Sequence, residues 1–229
     1  MNISFNNIYL EMLYEFMTKN DVRYYLNGFH VKPHSETGII LTATDGHRLV
    51  TIYDKDGFSD GEYIFPITKS LLSAAKKKLL SKGLPLNNVT IINGKALVTA
   101  ICHDSFPVNE NILDSGNGVT YIEFISQIDG KFPDIGNLFS RMGEPKPVSN
   151  IALNTRYLSA LNKIVDSRFT LASLHLYGPN DSVVAVAGMD KNIVAVIMPG
   201  RIGDEFVPVP SFVLQAGKTR PPEALEVAA

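Results

Sequence analysis

A helical segment flanked by strand-forming runs occurs three times in the sequence, and this repeat constrains the fold more than any other feature. In the first repeat, the pair Asn6-Asn7 can cap a helix whose apolar residues Leu10, Leu13 and Met17 recur at helical spacing. Strand-forming runs follow this helix at Phe29–Lys32 and Ile39–Tyr53.

The second repeat begins at Tyr63–Ile67, which has the composition of a strand. Thr68 is then placed to cap a helix with Leu71, Leu72, Ala75 and Leu79 on one face. Asn93-Gly94 joins two apolar runs and predicts a short hairpin, and Val119–Ile128 predicts a further strand.

The third repeat begins at Ile151–Leu153, and its helical segment Thr155-Arg156-Tyr157-Leu158 echoes Thr68-Lys69-Ser70-Leu71. Turn-forming residues separate three predicted strands, Phe169–Tyr177, Ser182–Ala187 and Asn192–Met198. Repeats of this kind predict an α+β fold, with helices on one face of a curved antiparallel sheet and each unit burying its apolar face against a neighbour.

The repeats suggest a domain organisation. We expect two units in residues 1–140, a linker at 141–148, one further unit at 149–202 and a Pro-rich tail at 203–229. Within the tail, the apolar segment Phe206–Leu214 is expected to dock in an extended conformation, the alternative being a disordered end.

Composition limits the possible partners. The 229 residues are 45% hydrophobic and carry a net charge of −2, so a nucleic-acid role would depend on local basic faces. The single cysteine, Cys102, excludes an intrachain disulfide framework and suits a reducing compartment. Neither a signal peptide nor an apolar run long enough to span a membrane is evident, so the sequence predicts a cytoplasmic location.

The segment Leu41–Val50 contains an acid, an imidazole and a guanidinium, Asp45, His47 and Arg48, within four positions. A catalytic dyad would need an oriented imidazole beside a nucleophile, and no recognisable nucleophile is near in sequence. Asp45-Gly46 between strand-forming runs instead predicts a hairpin in which both turn residues take positive φ.

Other candidate catalytic or metal sites are weaker. In Cys102-His103-Asp104, adjacent strand residues would point to opposite faces. The acids Asp54, Asp56 and Asp60 lack the glycine and glutamate offsets of a calcium loop. We therefore expect no enzymatic activity, no metal site and no cofactor.

Four segments resemble the bacterial beta-type DNA sliding clamps. Asp21–Gly28 and Ala43–Leu49 are similar to the middle domain of that family, as is Asp129–Asp134 at its end. Val196–Ile202 resembles the C-terminal strand of the family. The resemblance covers most of residues 1–202 and implies a DNA-clamp fold.

The resemblance implies a ring around double-stranded DNA that performs no chemistry and tethers DNA polymerase, or other proteins with clamp-binding peptides, through a pocket. The family has six units per chain, whereas this chain matches only the middle domain and half of the last, and Gly200 stands where the family usually has a large side chain. The matching pocket positions are Leu26, Thr44, Gly46, His47, Arg48, Leu49, Pro133, Leu138, Val196 and Met198.

DNA-binding candidates lie on the helices and on one loop. Lysines on helical surfaces are usually only solvated, and Glu11 and Glu15 oppose a basic lining on the first helix. The loop positions are assigned by the resemblance, and Tyr24 and Tyr25 could otherwise be packing residues. The candidates are Lys19, Asn20, Arg23, Tyr24, Tyr25, Lys69, Lys76, Lys77, Arg156 and Lys163.

Three functions stay open from the sequence. The first is a working clamp made of several short chains, with or without a clamp loader; the family ring has twelve units, so three per chain predict a homotetramer, with a dimer as the alternative. The second is a decoy or adaptor that keeps the pocket without encircling DNA. The third is a hydrolase that uses His47 or Cys102, and nothing in the sequence supports it further.

Overall fold

The computed structural model describes residues 1–76, 88–99, 111–115, 118–165, 171–201 and 210–214. Lys77, Leu79 and the segment Cys102-His103-Asp104 lie outside this part of the chain. The described residues form two antiparallel sheets with helices packed on them, so the predicted α+β class is confirmed and the predicted sheet is divided in two.

The first repeat begins with a strand that the sequence did not predict. The segment Asn2–Asn6 is too short for its alternation to separate a strand from a helix cap, and it becomes a strand by pairing with distant residues. The elements of this repeat are β1 (Asn2–Asn6), α1 (Ile8–Phe16), a 3₁₀ turn (Tyr24–Leu26), β2 (Phe29–Pro33), β3 (Ile39–Thr44), β4 (Arg48–Asp54) and β5 (Phe58–Ser59).

The second and third repeats follow the same order of a first segment, a helix and a meander of strands. The elements of the second repeat are β6 (Tyr63–Phe65), α2 (Lys69–Ala75), β7 (Asn88–Ile92), β8 (Lys95–Thr99), α3 (Asn111–Ser115) and β9 (Val119–Phe124), followed by α4 (Gly136–Ser140). Those of the third are α5 (Thr155–Ala160), a 3₁₀ turn (Leu161–Lys163), β10 (Ser173–His175), β11 (Val183–Ala187) and β12 (Ile193–Ile197), followed by α6 (Ser211–Leu214).

The first two repeats exchange their first strands. The order of one sheet is β5-β1-β7-β8-β9, so β1 joins the meander of the second repeat. The order of the other sheet is β10-β11-β12-β4-β3-β2-β6, so β6 joins the meander of the first repeat. This second sheet also includes the third repeat, because β12 pairs with β4 along five residue pairs.

The helices bury their predicted apolar residues. Leu10, Leu13 and Leu71 are fully buried in the main core, which α1 closes against β3 and β4. The Thr68 hydroxyl accepts a hydrogen bond from the Leu71 amide at 2.9 Å, as a helix cap does. The predicted cap of α1 is different in detail: Asn6 accepts from the Ile8 amide at 3.0 Å.

The two predicted hairpin turns differ. Asn93 and Gly94 both take positive φ, at 48° and 74°, as a two-residue turn requires. At Asp45-Gly46 only Gly46 does, with φ 89°, and the loop has three residues because β4 begins at Arg48. The Asp45 carboxylate explains why the loop is longer than predicted. It accepts hydrogen bonds from the amides of His47 and Arg48 at 2.8 and 2.7 Å, and these bonds hold the wider loop.

The expectation that the tail is extended is wrong for its described part. Ser211–Leu214 is a single helical turn, with the Val213 amide donating to the Pro210 carbonyl at 3.1 Å. Proline is compatible with a helix start, so Pro210 does not prevent this turn. Phe212 is 72% exposed within the single chain, and docking of the tail on a second chain stays a prediction.

No helix in the described ranges is long and apolar enough to cross a lipid bilayer.

Arg48 attaches the β3–β4 hairpin to helix α1. Its side chain is 13% exposed and pairs with Asp45 at 2.9 Å and with the Glu15 carboxylate at 3.3 Å. Its Nη2 also donates to the Glu15 carbonyl at 2.9 Å, and the guanidinium lies over the Phe16 ring. One side chain thus binds both the end of α1, at Glu15, and the loop before β4, at Asp45.

We expect Arg48→Met to lower the free energy of unfolding by about 1–3 kcal/mol, because hydrogen bonds from a mostly buried charge are lost. Urea denaturation monitored by circular dichroism measures this change. Arg23→Met is the matched control: Arg23 is 45% exposed, and its pair with Asp21 is screened by solvent, so its loss should lower the stability less. Equal losses in the two variants would contradict the anchoring role of Arg48.

Candidate functional site

A second apolar cluster lies on the face of the sheet that points away from α1. Leu49, Val184 and Val196 are opposed across β4, β12 and β11, and each is at most 6% exposed. Their neighbours along the strands, such as Val50, point instead into the main core. Partly buried residues pack against this cluster: Ile135, Leu138, Phe139, Met142, Tyr177, Val186 and Val194.

Three predicted pocket residues therefore meet in one place. Leu49 comes from the first repeat, Leu138 from α4 and Val196 from the third repeat. Their meeting depends on the pairing of β12 with β4, which sets Val196 directly opposite Leu49. We name this group, Leu49, Leu138, Val184 and Val196, the junction cluster.

Met198 and the hairpin loop form a rim beside the junction cluster. The Met198 amide donates to the His47 carbonyl at 2.9 Å, while its side chain is 43% exposed and receives a hydrogen bond from Ser182 at 2.9 Å. Thr44 donates to the Arg48 carbonyl and accepts from the Gly46 amide, which fixes the loop. The rim thus combines the exposed side chain of Met198 with a hairpin loop that is held by hydrogen bonds.

An open cleft of about 340 Å³ begins at Leu138 and extends along the end of α4. Its lining includes Met142 and Tyr177, and Ser182 connects it to Met198. Its charged residues are Arg141, Glu144, Lys146 and Asp181. A cleft lined by both apolar and polar residues can hold one or two side chains of a peptide and fix their orientation.

Leu26 belongs to a different cluster, with Ile64 and Phe132. Phe132 stacks on His30 at 4.8 Å between ring centroids. Burial lowers the pKa of His30, although its hydrogen bond with Glu62 at 2.8 Å opposes the shift, so the ring is held mainly as a neutral packing residue. Pro133 follows Phe132 and is exposed. The structure does not pack Leu26 against the junction cluster.

Arg48 and His47 contact a residue that sequence reasoning missed. The Arg48 guanidinium lies 5.2 Å from the ring centroid of Tyr157, and the His47 ring is stacked 6.1 Å from the same ring. Tyr157 is on α5, so the third repeat also closes on the hairpin loop from the helix side. The sequence contained one indication of this contact: Tyr157 is an aromatic residue at the position where the second repeat has Ser70.

Two predicted DNA-binding lysines are paired with one acid. Glu11 Oε1 lies 2.9 Å from Lys76 Nζ and 2.8 Å from Lys163 Nζ, so it joins all three repeats' helical segments. The hydrogen bond from Lys163 is the main cause that lowers the pKa of Glu11. Lys69 and Arg156 are exposed, and Lys77 lies outside the described residues.

The predicted DNA-binding loop contacts the hairpin loop. Arg23 pairs with Asp21 at 2.7 Å, and its hydrogen bonds lower the pKa of Asp21 to about 2. Arg23 Nη2 also donates to the Asp45 carbonyl at 3.3 Å, and a Cβ on Gly46 would lie only 2.8 Å from its Nη1. A glycine at position 46 therefore permits both the positive φ and this close approach.

The remaining residues of that loop are exposed and partly ordered by aromatic contacts. Lys19 Nζ lies 4.3 Å above the Tyr14 ring, and Asn20 is exposed. Tyr24 is 57% exposed and packs edge-on against Tyr25 at 5.8 Å. Exposed aromatic and basic groups in one loop can stack on bases and attract phosphates.

A larger cleft of about 670 Å³ lies at the opposite end of β4, away from every predicted site residue. Its wall includes Tyr9, whose pKa is raised to about 12 mainly by burial, and Asp54, whose pKa burial also raises. Asp54 accepts the Asn6 amide at 3.0 Å, so this carboxyl has a structural role. Within the described ranges, no group of three or more His, Cys, Asp or Glu is placed to hold a metal ion.

No protein-family model matches this chain, and no curated protein is detectably similar to it in sequence. Solved structures are similar in fold. The DNA polymerase sliding clamp from Pseudomonas aeruginosa superposes with a TM-score of 0.60 at 19% identity, over 88% of this chain and 67% of that chain.

Two further clamps give the same result. A putative DNA polymerase III beta subunit from Eubacterium rectale has a TM-score of 0.56 at 14% identity, over 88% of this chain and 66% of its own. The sliding clamp from Caulobacter crescentus has 0.53 at 18%, over 88% and 65%. The chain spans about two thirds of the length of these relatives, and it has the fold of the bacterial DNA polymerase sliding clamps.

Proposed function

We propose that this chain is a shortened DNA sliding clamp, which encircles double-stranded DNA as a homo-oligomeric ring and tethers DNA polymerase or other replication proteins. The observation that supports this most is the junction cluster with its rim at Met198. Leu49, Leu138 and Val196 meet beside an open cleft where a short apolar peptide could insert. No step of this function needs chemistry from the chain.

A non-enzymatic role suits the contacts of the Asp45–Arg48 loop. Asp45 accepts from two loop amides and pairs with Arg48, and His47 stacks near Tyr157. These polar groups are occupied in holding the loop. A hydrolase based on His47 would need a nucleophile beside the imidazole.

The organisation that goes with this function is one clamp domain in residues 1–140, a linker at 141–148, half a domain at 149–202 and a tail at 203–229. Four chains would supply the twelve units of a family ring, and two chains are the alternative. A clamp loader could open such a ring. The exposed Lys69 and Arg156, with the loop from Lys19 to Tyr25, would face the DNA.

A decoy or adaptor that never encircles DNA is the second candidate, and one observation favours it. Glu11 neutralises much of the charge that Lys76 and Lys163 would present to phosphates, and the net charge of the chain is −2. Such a protein would keep the peptide pocket and compete with other clamps for their partners.

The peptide pocket is tested with a synthetic peptide that carries a short apolar clamp-binding motif. We expect Met198→Ala to weaken its binding by roughly 1–3 kcal/mol, because truncating an interface anchor removes apolar contact. Titration calorimetry measures this loss. The matched control is Met189→Ala, also in the third repeat and 66% exposed, which should leave the affinity unchanged. Equal affinities for both variants would place the peptide elsewhere.

The charge balance of the helices is tested with Glu11→Gln. The variant should bind duplex DNA more tightly at low salt, and the slope of log K against log salt should become more negative by about 1, as expected for one more phosphate contact. Fluorescence anisotropy at several salt concentrations measures both. Glu144→Gln removes an exposed charge outside the helices and is the control. The same change in both variants would show a net-charge effect only.

Encirclement is tested by ligating a linear duplex into a circle in the presence of the protein, so that no loader is required. A ring should stay on the closed circle in high salt during gel filtration and should leave when a restriction enzyme linearises the DNA. A purely electrostatic complex would leave both forms at high salt. Loss from the circle together with intact peptide binding would favour the decoy or adaptor.

A further inference from the structure

The first two repeats complete each other by a reciprocal exchange of strands. β1 pairs with β7, with Ile3 opposite Ile91, and β6 pairs with β2, with Ile64 opposite His30. Each repeat thus supplies the strand that flanks the meander of the other. The exchange is what turns two units into one packed body.

The third repeat has the same parts. In the first repeat the chain returns after its meander to pair with its own first strand, Ile3 with Ser59. In the second, the Ile128 amide donates to the Ile64 carbonyl at 2.8 Å. In the third, the Gly200 amide donates to the Ala152 carbonyl at 2.8 Å. Ile151–Leu153 therefore occupies the first-strand position of the third repeat.

Both elements that would be exchanged are open in the third repeat. Among the described residues, Ile151–Leu153 has only the isolated bridge from Ala152 to Gly200. β10 is the end strand of its sheet and pairs with β11 alone among the named strands, while just past its end the Lys146 amide donates to the Leu176 carbonyl at 2.8 Å. An open strand edge beside apolar residues is a surface that folded proteins normally cover.

Apolar side chains at the β10 edge of the core are exposed to solvent. Leu174 lies opposite Ala185, which belongs to the main core, yet Leu174 is 50% exposed. Leu171, just before the strand, is 87% exposed. By contrast, Phe29 and Val31 on β2, the corresponding first meander strand of the first repeat, are fully buried. In the first repeat, β6 pairs with β2 and covers this edge. The greater exposure of Leu174 therefore follows from the lack of such a paired strand beside β10 among the described residues.

We infer that two copies of this chain associate through their third repeats, with Ile151–Leu153 of each copy pairing along β10 of the other. A second copy is the occupant because it carries both missing elements, a first strand to donate and a meander edge to complete. One two-fold axis satisfies both, which is the commonest symmetry of protein dimers. The result repeats between two chains the exchange seen within one.

The proposed ring requires two kinds of contact between neighbouring chains, and this contact is one of them. To that extent the inference rests on the proposed function. A pair of chains joined in this way contains six repeats. Its outer ends carry β9, the end strand of the other sheet, where Ile122 is 50% and Phe124 85% exposed.

The pairing is tested by disulfide trapping in a Cys102→Ser background. The double variant Ala152→Cys with Leu174→Cys should form a covalent dimer in mild oxidant, seen on a non-reducing gel and lost on reduction. Each single variant should stay monomeric on the gel, because the two-fold axis sets position 152 against 174 and not against itself. Covalent dimers from a single variant, or none from the double variant, would overturn the inference.

The mass in solution gives an independent readout. Leu174→Asp should halve the mass measured by sedimentation equilibrium, since it buries a charge in the proposed contact. Met189→Asp, at a methionine that is 66% exposed in the turn after β11, should keep the mass of the unaltered protein. An unaltered mass for Leu174→Asp would contradict the contact.

Failure of this contact and failure of the proposed function give different results. Loss of trapping with peptide binding intact would leave the clamp function and reject only this interface. A trapped dimer that neither binds the peptide nor stays on circular DNA would leave the interface and reject the function. Circular dichroism of Leu174→Asp shows whether the separated chain is folded, and the trapping experiment does not depend on that variant.

Discussion

The pairing of β12 with β4 is the contact on which the candidate site depends. These strands lie about 140 residues apart in sequence, and their five residue pairs join the first and third repeats in one sheet. Side chains alternate across this sheet, so Ile193 and Ala195 enter the main core while Val196 faces the other way, opposite Leu49. The same hydrogen bonds therefore close the core and assemble the junction cluster. Tyr157 strengthens the joint from the helix side by covering His47 and Arg48.

Several charged groups around the two candidate sites are engaged with one another. Arg48 connects α1 to the hairpin, Arg23 connects the loop after α1 to the same hairpin, and Glu11 connects the three helical segments. Such contacts orient the elements around the two candidate sites. They also reduce the charge that these groups present to a phosphate backbone. Among the predicted DNA-binding residues that the structure describes, Lys19, Lys69 and Arg156 are exposed cations outside these ion pairs.

An odd number of repeats has a physical consequence. The exchange of β1 and β6 buries the first two units in one another, whereas within the described residues the third unit joins them through β12, Tyr157 and Lys163. Its helix α5 contacts the following 3₁₀ turn, while α1 and α2 contact each other directly. The exposed Leu171 and Leu174 mark the side where this unit lacks a neighbour.

Much of this architecture is readable from sequence because it is local. The helical stripe Leu10, Leu13 and Met17, the Thr68 cap and the Asn93-Gly94 turn each depend on residues within a few positions. The division into three repeats was predicted for the same reason. Strand β1 was missed because its five residues become a strand only by pairing with β7.

The sequence by itself therefore determined the threefold repeat of a helix with strands, and through the resemblance the positions to inspect for a pocket. Only the tertiary structure decided which of these positions meet. It brought Leu49, Leu138 and Val196 together, packed Leu26 with Phe132 instead, and turned Arg48 toward α1. It also paired Lys76 and Lys163 with Glu11. The physical reason is that short-range periodicity fixes the face on which a side chain lies, whereas its neighbours there come from strand pairing and helix packing between residues far apart in the chain.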